Sequence, residues 1–356
     1  MSGDLNQKED VVVASSTETL WLTVGTLCTV SLAVTLLILT PDRWEIFAAV
    51  RLMPQWLMAS VAMAGVLVAT ASLRMMYRGV ERPLHRWWRF SIDNRARIYV
   101  FVAGVFLTGL NMIGFMWVKS LLNYLIPFSA DPMLARVDRA LFLVDPWRLL
   151  GWLNSPSVAQ FYHRGWFALM VLTLVLVLTR PPSKDKTALL CTYFLLWSVF
   201  GPLVHALIPA AGPLFFSRLA HGDLFDGLVP PAETQRLADY LWLTYEGSRV
   251  GPVSGISAMP SMHIAMVAWM TLAVGAFARR WLVPMALAAV FIFLLSISLG
   301  WHYAVDGVVG AAGAVLMLVA VKRLLVSRRR LIARTVSPAS IQAANAAATP
   351  ATPSEA

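Results

Sequence analysis

Long apolar segments, separated by short polar ones, are the feature that most constrains what this chain can fold into. Several approach or exceed roughly 18 residues, the length at which an apolar segment can cross a bilayer as a helix. Of the 356 residues, 58% are hydrophobic and 13% are charged, about half the charge of a soluble domain. We therefore predict an all-α, polytopic membrane helical bundle with about eight spans. The predicted spans are Leu20–Thr40, Leu57–Leu73, Ile98–Val118, Phe161–Leu178, Thr187–Ile208, Ile264–Ala278, Trp281–Leu299 and Tyr303–Val321.

The distribution of basic residues predicts the orientation of these spans. Lysine and arginine concentrate in alternate linkers and again after the last span, and positively charged loops stay in the cytoplasm. We therefore expect a multi-pass plasma (inner) membrane protein with both termini cytoplasmic. No basic segment precedes the first apolar run, which we interpret as a retained span rather than a cleaved signal peptide. The net charge of +10 is explained by contact with anionic lipid, so we predict no nucleic-acid partner.

Two polar motifs flank one predicted hairpin of spans. They are Gly255–His263, which reads GISAMPSMH, and Gly300–Asp306, which reads GWHYAVD. The 39 residues from His263 to His302 correspond to about 58 Å of helical path. This is close to one passage down and one passage back through a hydrocarbon core of about 30 Å. We therefore expect both histidines at the same face of the membrane, and the alternation of the loops makes it the outer face.

His302 and Asp306 are four residues apart at the start of a predicted helix, so their side chains share one face. A carboxylate there can accept the proton of imidazole Nδ1 and leave Nε2 as a nucleophile or base. An acidic residue at the head of an apolar helix is also expensive in a membrane, which indicates a functional role. The alternative is an interfacial pair that only caps the span.

His263 lies in the first turn of a helix predicted to begin near Ser261, directly after Pro260. The free backbone N–H groups of such a turn suit an anion, and phosphate is the commonest one. We therefore place Ser261 among the substrate-binding residues and His263 among the candidate proton donors. The alternative for His263 is a histidine of the capping region without a catalytic role.

Both motifs resemble signatures of the type 2 phosphatidic acid phosphatase superfamily, usually written P-S-G-H and S-R-x5-H-x3-D. Here Met262 replaces the glycine of the first, and Ser296 stands where the second has its arginine. A further family signature, K-x6-R-P, is not found, and the proline-containing segment 209–216 precedes the outer loop instead. This combination is most similar to the inositol phosphorylceramide synthase-like (inositolphosphotransferase) branch.

The resemblance implies a six-helix catalytic core and a phosphohistidine cycle that requires no cofactor and no metal. In that cycle His302 attacks the phosphorus of a lipid phosphoester, Asp306 orients His302, and His263 protonates the leaving group. The intermediate then passes to water or to a polyol or lipid alcohol.

Phosphate also requires cations, and the basic residues of the family motifs are missing. Arg218 and Arg249 are the predicted substrate-binding cations, because both lie in the outer loop between the relevant spans. Each is alternatively an ordinary solvated loop arginine. We interpret His163, His205 and His221 as packing, interfacial or loop residues.

The function predicted from these observations is that of an integral membrane lipid phosphotransferase or phosphatase acting at the outer face. A transporter or flippase of lipid-linked phosphates and an inactive scaffold of the same fold are the alternatives.

The predicted outer loop 119–160 contains Asp131–Phe142, an amphipathic pattern in which Leu134, Val137, Leu141 and Val144 recur at helical spacing. The predicted divisions are a polar N-terminal segment (1–19), two N-terminal spans and a basic cytoplasmic loop (20–96), a catalytic bundle (97–325) with outer loops 119–160 and 209–260, and a basic, then disordered, C-terminal tail (326–356).

Overall fold

The regular structure is helical throughout the part of the chain that the computed structural model describes, which is residues 2–40, 50–247 and 254–335. Arg249 and the tail segment Ala343–Ala356 lie outside the described residues. The helices are α1 (Ser2–Leu39), α2 (Met53–Tyr77), α3 (Pro83–Asp93), α4 (Arg95–Leu125), α5 (Asp131–Phe142), α6 (Pro146–Leu150), α7 (Pro156–Leu178), α8 (Lys184–Leu207), α9 (Ala232–Glu246), α10 (Met262–Phe277), α11 (Leu282–Ser298) and α12 (Ala304–Thr335).

Seven of the described helices are long and apolar enough to cross a membrane. They correspond to seven of the predicted spans, namely those of α1, α2, α4, α7, α8, α11 and α12. The remaining predicted span is α10, which is apolar but has only 16 residues, or about 24 Å of helix. The prediction of an all-α membrane bundle is therefore confirmed.

The third predicted span ends too early. It was placed at Ile98–Val118, whereas α4 continues to Leu125. The sequence pattern stops at Val118 because Lys119, Ser120 and Asn123 interrupt the apolar run. In the structure Ser120 and Asn123 are buried against other parts of the protein, so their polar groups do not end the helix.

A single apolar core connects the N-terminal helices to the rest of the bundle. It extends from Trp21 in α1 to Val321 in α12. Helix α1 packs along α4 and α8, and α10 packs against α12. Helix α2 packs against α7 and α4, which brings its first turn beside the predicted catalytic hairpin.

The amphipathic segment of the first outer loop is a helix, α5, and it caps the bundle through carboxylates. Asp131 accepts hydrogen bonds from the backbone N–H groups of Ala211 (2.9 Å) and Gly212 (2.7 Å) and from the Tyr303 hydroxyl (3.0 Å). Asp138 accepts hydrogen bonds from the N–H groups of residues 304 (2.6 Å) and 305 (3.0 Å). The first turn of α12 is therefore capped by a side chain from another helix.

The buried face of α5 differs from the apolar stripe predicted for it. Leu134 is buried as expected, but Leu141 is exposed, and so is Val144, which lies beyond the end of the helix. Asp131 and Asp138 occupy the buried face instead, because the backbone N–H groups opposite them must be paired.

Candidate active site

The two motif histidines face each other, with ring centroids 6.0 Å apart. His263 lies in the first turn of α10, and His302 lies in the turn between α11 and α12. Gly300 has a φ of +77°, a conformation that glycine adopts without strain, and it allows the chain to reverse at this point. The two rings therefore lie close together, as the length of the predicted hairpin between them indicates.

His302 is held by a backbone carbonyl. Its Nδ1 lies 2.9 Å from the oxygen of Ala258, so Nδ1 carries the proton and donates it there. The nearest carboxylate oxygen of Asp306 is 3.6 Å from Nδ1, which is beyond hydrogen-bonding distance. Ala258 therefore accepts the Nδ1 proton in place of Asp306, the acceptor expected from the sequence. The imidazole adopts the same tautomer with either acceptor. Nε2 is left unprotonated and free to react.

Asp306 is fully buried beside this imidazole. Its Oδ2 accepts a hydrogen bond from the N–H of Tyr303 (2.9 Å), and its own carbonyl accepts one from the N–H of Ser261 (3.1 Å). Asp306 thus joins the second motif to the start of α10. Its carboxylate also places a negative charge where a cationic ring at His302 would be stabilised.

Aromatic rings from α7 form the other side of His263. The ring of Tyr162 stacks on the imidazole at 4.9 Å, and that of Trp166 lies 4.3 Å away. The indole N–H of Trp166 donates to the His263 carbonyl (3.0 Å). Tyr162 belongs to a π-helical turn at Phe161–Gly165, and such turns are frequent at functional sites.

Both histidines line a cavity of about 430 Å³, a volume typical of ligand-binding pockets. Its polar end contains Lys119, His163, His263 and His302. Most of its remaining surface is apolar. The arrangement suits a ligand with one charged group and a larger apolar part.

Lys119 also lines this cavity, and it is not among the site residues predicted from the sequence. It lies near the C-terminal end of α4, on the part of the helix that was predicted to be loop. One turn later, Asn123 donates to the carbonyl of Ile256 (2.7 Å) and accepts from its N–H (2.9 Å). Lys119 and the first motif are therefore fixed relative to each other. The sequence does contain a sign of this site: Lys119 and Asn123 are polar residues four apart at the end of an apolar run. Polar residues in membrane helices often indicate function.

Gly255 permits this close approach of the first motif to α4. A Cβ at this position would lie 2.8 Å from the backbone nitrogen of Ser120 and 2.9 Å from Cε of Lys119. Any larger residue would therefore push the loop away from the cation.

Of the three predicted substrate-binding residues, the structure describes Ser261 and Arg218, and neither lines the cavity. Ser261 is buried as the N-cap of α10, where its hydroxyl accepts from the N–H of Ile264 (3.4 Å). Arg218 is hydrogen-bonded to Asp239, and this bond lowers the pKa of that carboxyl. Arg249 lies outside the described residues. Among the described residues, Lys119 is the lysine or arginine that lines the cavity.

The other histidines have different surroundings. His163, predicted to be a packing, interfacial or loop residue, lines the cavity, with its Nε2 3.4 Å from the Thr234 hydroxyl. His205 is buried, with its Nε2 3.1 Å from the side-chain nitrogen of Asn123. His221 is in contact with the ring of Phe216 in the outer loop. Across residues 2–40, 50–247 and 254–335, no group of three or more His, Cys, Asp or Glu side chains is arranged to hold a metal ion.

A family model described as the PAP2 superfamily matches residues 132–321, which is more than half of the 356 residues. The chain belongs to the PAP2 superfamily. No curated protein and no solved structure matches it.

Members of the PAP2 superfamily are phosphatases, so membership supports a phosphatase-type enzyme with a lipid phosphate substrate in a membrane. Two residues depart from the family signatures, and the structure shows where they lie. Ser296 is buried, and its hydroxyl donates to the carbonyl of Phe293 (2.7 Å). Met262 lines the cavity. Lys119 precedes the matched segment, so its charge comes from a helix outside the family match.

Proposed function

We propose that this PAP2 protein transfers the phosphoryl-bearing group of a lipid phosphoester through a covalent intermediate on His302. The observation that carries the proposal is the contact between His302 Nδ1 and the carbonyl oxygen of Ala258. Nδ1 donates to this oxygen at 2.9 Å, which leaves Nε2 as a nucleophile in a cavity that also contains His263 and Lys119. A nucleophile, a proton donor and a cation are the groups that phosphoryl transfer requires.

In the first step, Nε2 of His302 attacks phosphorus and forms a P–N bond while the P–O bond to the leaving group breaks. Protonated His263 gives its proton to the departing oxygen. Lys119 pairs with the phosphate oxygens, and the buried carboxylate of Asp306 stabilises the positive charge on the His302 ring.

In the second step, an acceptor hydroxyl attacks phosphorus, its proton passes to His263, and the P–N bond breaks. Water as acceptor gives hydrolysis, and a polyol or lipid alcohol gives transfer. The mainly apolar lining of the cavity favours transfer, because such a lining limits the access of water. The resemblance to the inositol phosphorylceramide synthase-like branch supports the same choice.

The proposed location of the reaction is the outer face of the inner membrane, with both termini in the cytoplasm. The basic residues of the alternate linkers support this orientation. The apolar helices of the described chain support a multi-pass protein.

The test uses full-length protein in lipid nanodiscs with lipid phosphoesters labelled at phosphorus. We expect the wild type either to release labelled phosphate or to pass the label to an added polyol or lipid alcohol. His302→Ala should abolish both outcomes. His85→Ala is the matched control, because His85 is exposed on α3 and does not line the cavity.

His263→Ala separates the two steps. With an aryl phosphoester, whose leaving group needs no proton, the first step should proceed while the second lacks its base. The protein should then accumulate an acid-labile label that His302→Ala does not acquire. Equal turnover by His302→Ala and the wild type would refute the mechanism. Label movement across the bilayer without chemical change would support a transporter instead.

A further inference from the structure

The cavity has an apolar arm that leads away from the histidines along one face of α4. Gly109, Met112, Ile113 and Met116 line it, and Lys119 follows at its polar end. These positions share one helical face. The distance from Gly109 to Lys119 along the helix is about 15 Å.

Helices α2 and α7 provide the other walls of this arm. Leu52, Gln55 and Trp56 line it from the start of α2, and Trp166 and Phe167 line it from α7. All of the α2 residues precede the segment that matches the PAP2 family model. The arm is therefore built partly from a span that precedes the matched segment.

Trp56 is rigidly placed at the far end of the arm. Its side chain is buried, and its indole N–H donates to the carbonyl of Val105 (2.9 Å). Its ring packs edge-on against Phe167 at a centroid distance of 6.0 Å. The lining of the arm on α4 begins at Gly109, and a Cβ at that position would lie 2.6 Å from Cδ1 of Trp56. The indole thus fits against the space that glycine leaves.

We propose that the apolar arm binds a single hydrocarbon chain of the lipid phosphoester, and that Trp56 against Gly109 limits the chain length. The inference rests on the proposed function. Continuity with Lys119 and the two histidines identifies the occupant, because a chain attached to a phosphate at the polar end would follow the apolar face of α4. An extended chain advances by about 1.2 Å per bond, so the arm accommodates a chain of roughly twelve carbons.

The experiment measures binding of a homologous series of n-alkyl phosphonates to full-length protein in nanodiscs. Phosphonates have no P–O–alkyl bond to cleave, so the measurement is independent of turnover. Affinity for the wild type should rise about fourfold per added methylene and then level off when the chain reaches Trp56. A steady rise without a plateau would mean that the chain leaves the arm, and would overturn the proposal.

Two variants should move the plateau in opposite directions. Gly109→Ala pushes the indole into the arm and should move the plateau to shorter chains. Trp56→Ala opens the end of the arm and should move it to longer chains. General destabilisation of the protein does not give shifts of opposite sign, so a plateau that stays in place in both variants would also overturn the proposal.

Gly65→Ala is the matched control. Gly65 lies in α2, and a Cβ there meets no atom within 4 Å, so the plateau should stay where the wild type has it. His302→Ala should retain the wild-type plateau while it loses turnover. If neither Gly109→Ala nor Trp56→Ala moves the plateau while the wild type turns over the phosphoester, the chain-length inference alone is overturned. If both variants move the plateau but the wild type shows no turnover, the proposed function alone is overturned.

Discussion

At the scale of single residues, a largely apolar cavity contains one lysine or arginine among the residues that the structure describes. Lys119 lines the polar end beside His263 and His302. The arginines expected from the sequence lie elsewhere or outside the described residues. An isolated charge in such surroundings interacts strongly with an anion, because little water screens it.

We expect Lys119→Met to lower kcat/KM for the lipid phosphoester by roughly 10²–10³, the usual effect of removing one donor to a developing oxyanion. Lys119→Arg should retain part of the activity, since it keeps the charge in a different shape. The measurement is steady-state kinetics in nanodiscs, with Lys184→Met as the control because Lys184 is exposed at the start of α8. Unchanged kinetics in Lys119→Met would show that another group binds the phosphate.

The hydrogen-bond partners of the site residues could not be predicted from the sequence, for physical reasons. The acceptor for His302 is the backbone carbonyl of Ala258, and a carbonyl carries no residue identity. The path length between His263 and His302 was predictable, since it needs only helix rise and bilayer thickness. Lys119 could not be predicted as a site residue because it lies where the apolar run ends. The neighbouring polar residues Ser120 and Asn123 hydrogen-bond to Ser254 and Ile256, which are far away in the sequence.

At the scale of elements, α5 fixes the turn that carries His302 through hydrogen bonds to the start of α12. Asp138 in α5 accepts from the backbone N–H groups of Ala304 and Val305 at the start of α12. Asp131 ties the same helix to residues 211 and 212 and to Tyr303. The sequence indicated an amphipathic helix here, but helical periodicity gives no information on partners that are far away in the chain.

We expect Asp138→Ala to reduce the free energy of unfolding by about 1–3 kcal/mol, because two buried N–H donors lose their acceptor. Asp138→Asn keeps one acceptor oxygen and should be milder. Thermal unfolding in detergent measures both. Arg136→Ala is the control on the same helix, since Arg136 is exposed.

Asp138 also predicts a dependence on pH. Burial raises the pKa of Asp138 above its usual 3.8, against the lowering effect of the hydrogen bonds from residues 304 and 305. A raised pKa in the folded state means that the stabilising contribution is complete below pH 3.8 and is lost as pH rises through the folded-state pKa. The melting temperature of the wild type minus that of Asp138→Asn should therefore decrease from acidic to neutral pH. An increase over that range would contradict the assignment.

At the scale of the whole molecule, the apolar runs were sufficient to predict the bundle, but they did not show that the N-terminal spans share its core. That connection depends on side chains that meet across long stretches of sequence. Lys186 in α8 binds Glu18 in α1 at 2.7 Å, and Glu18 also accepts from the indole N–H of Trp21 (2.6 Å). The side chains of Lys186 and Glu18 are 4% and 13% exposed, so α1 is joined to α8 by a largely buried ion pair.

Variants of this ion pair test whether α1 unfolds together with the rest of the bundle. Lys186→Met or Glu18→Leu alone leaves a buried group without its partner and should lower the free energy of unfolding by about 3–5 kcal/mol. The double variant Glu18→Leu with Lys186→Met removes both charges and should recover most of that loss. Thermal unfolding and phosphoester turnover should change together, because α1 and the catalytic helices share one core. Additive losses in the double variant, or a melting step that leaves turnover intact, would instead mean that α1 unfolds separately from the site.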